Sequence, residues 1–527
     1  MKKALALVLA LVLCLGVFAG CQQDTPDETK APETTAAPSG DTTAAPVETT
    51  EAAPQEYTFP AGTEIEVVGC HDLNDLPMDK FVEGATGLSV KWIVQGGEEE
   101  LSAMMTQKVT PSVLFNYGPS YGHKMGRFGA FVNLMDYKDI MPNVFARFEQ
   151  YEGALEEYLT SEDELYSVPV YLNGDVQHYG WYYREDIFAE LNLTPPTNLE
   201  ELYAVLAALK EAYPDSYPLT MRNMGGGMGA FTEFAQQFGL DYSWANPVLD
   251  RETGKFYSCF ATDEARNMLK FWRDMIDKGY MDIATLSNGT AEWVADMSSG
   301  KSFITHDKAF QLTNLEKAGQ EVNPDFSLAW WHNMEVIDNP AVPHQCRDTY
   351  DWCSNYYTWS VPTKAADVEL ALHYLDWMYS DEGSLILSWG KEGESYGVDA
   401  DGNKYFLEGY DATFQARYQE SGYIDMKGTA ATYSPKCQDM IFDTMAAARE
   451  GGWYSIAAPL NAEEQKVMDT YQTDYLNVKH TYYQKFLLGD LEINDANWEK
   501  FKAEMASFGE AELQAAYQSA YDRLLGQ

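Results

Sequence analysis

The chain has 527 residues, of which 36 are Lys or Arg and 81 are Asp or Glu, giving a formal net charge of −45 at pH 7. This charge argues against nucleic-acid binding and against electrostatic docking on anionic lipid, because both require clustered cations. Aromatic residues make up 14% of the chain, with 35 Tyr and 13 Trp.

The N-terminus has the composition of an export signal. Lys2 and Lys3 precede an apolar run that ends at Ala19 and is too short to span a bilayer. The residues Phe18-Ala19-Gly20-Cys21 resemble a bacterial lipobox, in which cleavage exposes a lipid-modified cysteine. We therefore predict a signal peptide at 1–20 and a lipid anchor at Cys21. The alternative is plain secretion with cleavage near Gly20 and an incidental cysteine.

Residues 21–56 are predicted to form a disordered linker that follows the anchor. They are rich in Thr, Pro, Ala and Glu and have too little apolar surface to offset the entropy of ordering. A flexible tract of this length spans roughly 30–35 Å. The remainder of the chain is too long for one hydrophobic core and predicts two lobes.

Hydrophobic patterning predicts strands and helices that alternate, as in α/β proteins with parallel sheets. The cap of the first long helix is predicted at Thr197, with Glu200 at the capping-box position. Two hairpin turns are predicted, at Arg251–Lys255 and Asp399–Lys404. The predicted strands are Glu64–Gly69, Leu88–Val94, Ser112–Asn116 and Ser216–Met221, and the predicted helices are Glu99–Lys108, Leu199–Ala212, Phe231–Phe238, Thr262–Lys278 and the region from Ala462.

Several short motifs in the body occur in a characteristic order. The main ones are Glu164-Leu165-Tyr166-Ser167-Val168-Pro169, Tyr182-Tyr183-Arg184-Glu185-Asp186-Ile187-Phe188, Leu193-Thr194-Pro195-Pro196-Thr197, Ser299-Gly300-Lys301 and Asp376-Trp377-Met378-Tyr379-Ser380-Asp381-Glu382-Gly383. Together they resemble family 1 of the extracellular solute-binding proteins of ABC importers, and within it the LplA-like lipoprotein subgroup. Asn192 departs from the family pattern, which often has Gly there, and Ser112 stands where the family usually has Asp.

The resemblance implies a periplasmic-binding-protein-like α/β fold of two lobes joined by a multi-strand hinge, with the ligand between them. It implies lobe 1 at 57–175, lobe 2 at 176–300, a return to lobe 1 and the hinge at 301–365, and a helical part at 366–527 that completes both lobes. It further implies an oligosaccharide ligand, ABC permease transmembrane subunits as partners, a monomer, no cofactor, and a location outside the cell membrane. A peptide or other organic solute, a surface glycan-degrading enzyme and a lectin without a transporter remain alternatives.

The candidate ligand-binding residues are aromatic and polar, because sugars present flat C–H faces and hydroxyl groups. Ligands of open α/β sheets bind at the carboxyl ends of the strands, which points to the loops that follow them. The predicted ligand-binding residues are Asp72, Asn116, Tyr117, Tyr121, Arg222, Asn223, Trp244, Trp293, Trp330, Trp331 and Trp359.

Two glycine-containing motifs suggest other chemistry. Gly118-Pro119-Ser120-Tyr121-Gly122 fits the G-x-S-x-G pattern of hydrolases, but Gly122, Gly126 and Gly129 predict a poor helix after it, so we assign no catalytic residue. Gly225–Ala230 fits G-x-G-x-x-A without the acidic residue of a dinucleotide site. It either binds ligand oxygens through free N–H groups or forms a tight turn.

No metal site is predicted. Five cysteines lie beyond the anchor, at positions 70, 259, 346, 353 and 437, and they form neither a zinc pattern nor a disulfide framework, although Cys346 and Cys353 are close enough to pair. The segment Asp399–Asn403 resembles part of a calcium loop, but its glycine is misplaced and its twelfth residue is Tyr410, so a hairpin turn is the preferred interpretation.

Overall fold

The computed structural model of the protein describes residues 57–74, 76–77, 79–151, 153–173, 179–222, 235, 238–240, 245–250, 253–331, 353–411, 414, 420–451 and 458–525. The predicted signal peptide, Cys21 and the linker lie outside these residues. Within them, no helix combines the length and the apolar character that crossing a membrane requires.

Fourteen strands are present among the described residues. They are β1 (Thr63–Gly69), β2 (Leu88–Val94), β3 (Val113–Asn116), β4 (Val168–Asn173), β5 (Tyr179–Arg184), β6 (Leu219–Thr220), β7 (Val248–Asp250), β8 (Lys255–Tyr257), β9 (Ile304–Lys308), β10 (Leu328–Trp331), β11 (Cys353–Ser360), β12 (Tyr396–Val398), β13 (Lys404–Phe406) and β14 (Tyr423–Asp425).

The α-helices of the described chain are α1 (Asp79–Thr86), α2 (Glu98–Met104), α3 (Gly118–Arg127), α4 (Pro142–Phe148), α5 (Ala154–Tyr158), α6 (Glu185–Leu191), α7 (Leu199–Ala212), α8 (Asp263–Asp277), α9 (Thr290–Ser298), α10 (Gln311–Val322), α11 (Val368–Met378), α12 (Asp381–Ser388), α13 (Met426–Ala431), α14 (Pro435–Gly451), α15 (Ala462–Leu488), α16 (Asp495–Ser507) and α17 (Glu510–Leu524). Short 3-10 segments occur at Leu134–Ile140, Cys259–Ala261 and Ile283–Leu286.

Two main sheets define the two lobes. The lobe 1 sheet has the order β14-β4-β11-β3-β1-β2, and the lobe 2 sheet has the order β10-β5-β9-β6. In lobe 1, β1 is parallel to β2 and β3, while β11 is antiparallel to both of its neighbours. In lobe 2, β6 is parallel to β9, whereas β5 is antiparallel to β9 and β10. The α/β, two-lobe fold class expected from the sequence is confirmed.

Among the described elements, taken in chain order, the chain crosses from one lobe to the other three times. It leaves lobe 1 after β4, returns to β11 after β10, and crosses again between α13 and α14. β9, α10 and β10 belong to lobe 2, and the chain next enters the lobe 1 sheet at β11. The helices α15–α17 pack with α8 in the core of lobe 2, whereas α11 and α12 pack in the core of lobe 1.

Local sequence signals place most elements correctly. β2 has the predicted bounds, and β1 begins one residue earlier than predicted. Thr262 caps α8 by accepting a hydrogen bond from the Ala265 backbone N–H. Both predicted hairpins form, between β7 and β8 and between β12 and β13. The predicted helix Phe231–Phe238 lies largely outside the described residues.

The cap of α7 differs from the prediction by one residue. Asn198, not Thr197, is the cap, and its side chain accepts a hydrogen bond from the Glu201 backbone N–H. Thr197 instead donates both its backbone N–H and its hydroxyl to the Glu201 carboxylate, at 2.8 Å each. Asn and Thr are both effective caps, so local sequence cannot choose between adjacent positions.

Candidate functional site

The chain path makes one edge of each sheet face the other lobe. β4 ends at Asn173 and β5 begins at Tyr179, so the intervening segment spans at most about 20 Å. β10 likewise ends at this edge of lobe 2, and β11 begins at the matching edge of lobe 1. The carboxyl ends of β1, β3 and β4 are therefore at the end of the lobe 1 sheet from which the chain leaves for lobe 2, and those of β6 and β9 are at the end of the lobe 2 sheet where it arrives. Open α/β sheets bind ligands at the carboxyl ends of their strands.

The loop after β1 is held in place by side-chain hydrogen bonds. Asn74 donates to the Trp92 carbonyl at 2.9 Å and accepts from the Trp92 backbone N–H at 3.0 Å. Asp72 is exposed, and its Oδ1 accepts from the Asn74 backbone N–H at 3.2 Å and from Nδ2 at 2.8 Å. Asp72, one of the predicted ligand residues, is thus at the edge but already engaged in shaping its own loop.

A buried carboxylate lies behind this loop. Glu420 Oε1 accepts hydrogen bonds from the backbone N–H groups of Cys70 and His71, at 2.9 and 3.1 Å, and lies 2.8 Å from His71 Nδ1. Burial, and next the Glu420 charge, raise the pKa of the Cys70 thiol to about 11. The hydrogen bond to Glu420 raises the pKa of His71 above its ordinary value.

Two half-buried tyrosines lie beside this loop. Tyr357 on β11 stacks on Phe115 with ring centroids 4.7 Å apart, and it is 6.5 Å from the ring of Tyr117, which follows β3. The Tyr357 side chain also hydrogen-bonds the Cys70 thiol. Aromatic faces next to hydrogen-bonding groups are suited to a ligand with both C–H faces and hydroxyls.

The edge of lobe 2 carries a buried ion pair. Arg222 follows β6, and its Nε and Nη2 atoms donate to the two carboxylate oxygens of Asp307, at 2.8 and 2.6 Å. Both side chains are under 10% exposed. The guanidinium also lies 5.3 Å from the ring of Trp293. Arg222 therefore stands at the predicted edge with its charge compensated by Asp307.

Trp330 and Trp331 do not form a common surface. They are adjacent on β10, so their side chains point to opposite faces of the sheet. Trp331 stacks on Trp181 with centroids 5.3 Å apart, next to the larger core of lobe 2, whereas Trp330 packs against the smaller core. Both are partly exposed, and Trp331 is at the end of β10 that faces lobe 1.

Four of the predicted ligand-binding residues are packed inside the lobes. Asn116 and Tyr121 are buried in lobe 1, where Asn116 bonds Ser360 and Thr358 and the Tyr121 hydroxyl is 3.3 Å from that of Ser102. Trp293 and Trp359 are fully buried, and their indole N–H groups donate to the Thr305 hydroxyl and the Ser421 carbonyl. The polar atoms of these four side chains are thus hydrogen-bonded within the lobes, and their role in ligand binding stays a prediction.

Other predicted positions lie outside the described residues. These are Asn223, Trp244, the segment Gly225–Ala230 and Cys346, which is close enough in sequence to pair with Cys353.

The G-x-S-x-G segment has a geometry that sequence reasoning did not anticipate. The helix α3 begins at Gly118 directly after β3, so the prediction of a poor helix there was wrong. Its glycines permit close packing, because a Cβ at Gly122 or Gly126 would meet Ser167 or Tyr166 within 2.5 Å. The residue with positive φ at the turn is Gly118, whereas Ser120 lies in the helix, unlike a nucleophile held at a strained turn.

The segment Asp399–Asn403 forms the turn of the β12–β13 hairpin. Asp399 Oδ1 accepts from the backbone N–H groups of Asp401 and Asn403, at 2.9 and 2.8 Å, so this carboxylate shapes the turn. No cluster of three or more His, Cys, Asp or Glu side chains suited to a metal ion occurs in the described part of the chain.

Three residues at the lobe 1 edge were absent from the predicted ligand set: His71, Tyr357 and Glu420. His71 adjoins Asp72 and Tyr357 lies in the aromatic stretch up to Trp359, so their neighbourhoods carried a signal. Glu420 is 350 residues from Cys70 in sequence, and no local pattern distinguishes it among 81 acidic residues.

Comparison with known proteins identifies the family. Residues 75–384 match the profile of the bacterial extracellular solute-binding proteins, which is more than half of the chain. The chain belongs to this family. The match runs from the loop after β1 into α12, so it includes every strand of the two main sheets except β1 and β14, and it leaves out the edge residues His71, Asp72 and Glu420.

Two proteins of Bacillus subtilis strain 168 are similar in sequence to this solute-binding protein. It is 26% identical over 332 residues to the polygalacturonan/rhamnogalacturonan-binding protein YtcQ, and 22% identical over 339 residues to lipoprotein LipO. The alignments cover 60% and 61% of this chain and 62% and 64% of those relatives.

Solved structures show the same fold. The alginate-binding protein AlgQ2, in a form without calcium ion, has a TM-score of 0.66 at 19% identity. The alignment covers 89% of this chain and 100% of the AlgQ2 chain. The substrate-binding protein FusA of the S. pneumoniae ABC transporter, in complex with kestose, has a TM-score of 0.67 at 15% identity, with 88% and 100% covered. At these identities the likeness concerns the fold.

Proposed function

We propose that this chain is the lipid-anchored substrate-binding component of an ABC importer and that it captures an oligosaccharide between its lobes. The observation that carries the proposal is the lobe 1 edge, where the half-buried rings of Tyr117 and Tyr357 adjoin a hydrogen-bonded polar loop. Trp331 stands at the facing edge of lobe 2. Hinge closure would bring these groups around one ligand.

The names of similar proteins support the carbohydrate assignment. YtcQ is named for binding polygalacturonan and rhamnogalacturonan, AlgQ2 for binding alginate, and FusA has a structure with kestose. Each similarity is partial in sequence or restricted to the fold, so the ligand class is a proposal for this chain. In the proposal, the permease transmembrane subunits are the partners and the protein is a monomer.

Calorimetric titration of the purified body, residues 57–527, against a panel of glycans and peptides tests the ligand class. We expect saturable heat with at least one oligosaccharide and none with peptides. A response to a peptide and to no carbohydrate would refute the proposal. Release of reducing sugar from a bound glycan would instead indicate a glycan-degrading enzyme.

The anchor is tested separately. We expect the full chain to be recovered in the membrane fraction and to incorporate radiolabelled palmitate, and Cys21→Ser to be released in soluble form. Equal membrane retention of both forms, without label, would exclude lipidation at Cys21.

A further inference from the structure

Glu420 is an acidic side chain that the protein buries completely. Its side chain is 0% exposed, and Oε1 receives the N–H groups of Cys70 and His71 together with His71 Nδ1. A buried carboxylate is costly unless it is paired and hydrogen-bonded, and here the cationic partner is the imidazole. The Gly69 backbone permits this approach, because a Cβ there would be 3.2 Å from Glu420 Cγ.

The imidazole of His71 is oriented by this contact and remains accessible. Its side chain is 51% exposed, and Nδ1 faces Glu420. Among the described residues, Nε2 has no hydrogen-bond partner. Nδ1 lies 2.8 Å from the buried carboxylate, and this contact raises the pKa of His71 above its ordinary value; in the protonated ring Nε2 carries a proton and can donate it.

The titratable groups around His71 are acidic or neutral, so the imidazole is the group there that can carry a positive charge. The titratable groups around the loop are Glu420, which contacts the imidazole, Cys70 and Asp72 on the loop itself, Tyr357, which contacts Cys70, and Asp79 at the start of α1. The Asp72 carboxylate is bound by Asn74, and Asp79 Oδ1 accepts from the Trp92 indole at 3.3 Å. Burial raises the pKa of Cys70 to about 11, so its thiol is neutral at pH 7.

The loop that presents His71 is held to the neighbouring strand β2 and to the residue after it by hydrogen bonds. Asn74 joins it to both polar groups of the Trp92 backbone, and Gln95 Nε2 lies 2.9 Å from the Cys70 sulfur. A donor fixed before the ligand arrives loses little entropy on binding. The residue before His71, Cys70, hydrogen-bonds through its thiol to the side chain of Tyr357, the ring that would stack on a sugar.

We propose that His71, oriented by Glu420, binds a carboxylate of the ligand, and that the protein therefore selects acidic oligosaccharides, those containing uronic acid. This inference rests on the proposed carbohydrate function and specifies its substrate class. Glu420 is a positioning residue in this arrangement: its buried carboxylate contacts Nδ1 and orients the ring, and the Nε2–H of the imidazolium is the group that contacts the ligand. A charge-assisted hydrogen bond at this position would contribute about 10- to 100-fold in affinity.

The test is calorimetric titration of the purified body with α-1,4-linked trigalacturonate and with α-1,4-linked galactotriose, which has the same linkage without carboxylates. We expect the acidic sugar to bind at least about 10-fold more tightly. The variant His71→Asn retains an amide donor toward Glu420 and lacks Nε2. It should lose about 10- to 100-fold in affinity for trigalacturonate, with an unchanged, weak response to galactotriose, and urea unfolding verifies that the variant is folded. The matched control is His373→Gln, because His373 stacks on Tyr57 away from this loop. This variant should leave the affinity for both sugars unchanged.

The pH dependence of affinity for trigalacturonate distinguishes an effect of Glu420 on the His71 imidazole from a purely structural role of Glu420. Affinity for trigalacturonate should fall as pH rises through the pKa of His71, and Glu420→Gln should move this fall to lower pH. If His71→Asn weakens both sugars equally, or if the wild type prefers a neutral glycan, the acidic-sugar inference is overturned while the carbohydrate function stands. If no carbohydrate binds at all, the proposed function itself fails.

Discussion

Arg222 and Asp307 form a two-point ion pair that joins β6 to β9 inside lobe 2. The guanidinium donates to the two carboxylate oxygens at 2.6 and 2.8 Å, and Asp307 Oδ1 also accepts from the Lys308 backbone N–H at 2.7 Å. Because β6 and β9 are parallel neighbours, the pair fixes the edge of the sheet that faces lobe 1. The ion pair therefore stabilises the relative position of β6 and β9 at the lobe 2 edge.

Asp307→Asn should destabilise the protein by about 3–5 kcal/mol, because it leaves the buried Arg222 charge without a counter-ion. Asp495→Asn is the matched control, since the Asp495 side chain is 93% exposed in its pair with Arg266 and should cost at most about 1 kcal/mol. Urea unfolding monitored by tryptophan fluorescence measures both. Similar costs for the two variants would contradict a special role for the buried pair.

Gly126→Ala should destabilise the protein by about 1–3 kcal/mol through overpacking. An added Cβ would meet the Tyr166 ring at 2.1–2.4 Å, where α3 packs against the segment before β4. Gly84→Ala is the control, because Gly84 is exposed in α1 and a Cβ there meets nothing within 4 Å. That variant should stabilise by up to about 1 kcal/mol, since alanine favours helix. Thermal melting distinguishes the two directions, and a shift of the same sign for both would refute this interpretation.

Asp376 should make the stability of lobe 1 depend on pH. Burial raises its pKa from 3.8 to about 6, although its carboxylate accepts from Asn143 Nδ2 and the Val144 backbone N–H. Because the folded-state pKa is the higher one, its contribution is fully present below about pH 4 and is lost as pH rises through about 6. The loss amounts to about 3 kcal/mol.

Asp376→Asn should remove this pH dependence, because the amide does not ionise. The measurement is the free energy of unfolding in urea at several values between pH 4 and pH 8. Asp381→Asn, at a side chain that is 94% exposed, should leave the slope as it is in the wild type. An unchanged slope in Asp376→Asn would show that another group causes it.

Tyr117→Ala and Tyr357→Ala should each weaken binding of the cognate oligosaccharide by about 10-fold, through loss of ring stacking and buried area. Phe128→Ala provides a control at the other end of α3, where the side chain is 79% exposed. Calorimetry measures affinity, and urea unfolding verifies that each variant is folded. Affinities equal to that of the wild type for both tyrosine variants would remove this edge from the proposed site.

Local sequence was sufficient for many elements because their signals act over a few residues. Thr262 caps α8, and Asn461 and Glu464 form a capping box at the start of α15, so polar groups at the helix ends are satisfied by near neighbours. The period of β1 and β2 reports strand structure in the same way. The order of the motifs was likewise enough to indicate the family that residues 75–384 match.

The residues at the edges proposed to bind ligand were harder to predict, because the type of a residue does not show whether its side chain points into the core or toward the other lobe. Trp359 and Tyr357 lie two residues apart on β11, yet Trp359 is fully buried and Tyr357 is partly exposed near the edge. Both rings contact Phe115, and Tyr357 lies in a register irregularity between Ser354 and Thr358. Irregularities of this kind depend on the partner strand, which a single sequence does not specify.

The sequence by itself determined the two-lobe α/β class, the family and many of the element positions, because these depend on local periodicity, capping and motif order. It also carries the export signal and Cys21 as predictions. The tertiary structure decided which aromatic residues form the cores and which face the other lobe. It also brought Glu420 to Cys70 and His71 across about 350 positions. Long-range contacts of that kind arise from the packing of whole elements, and local sequence does not encode them.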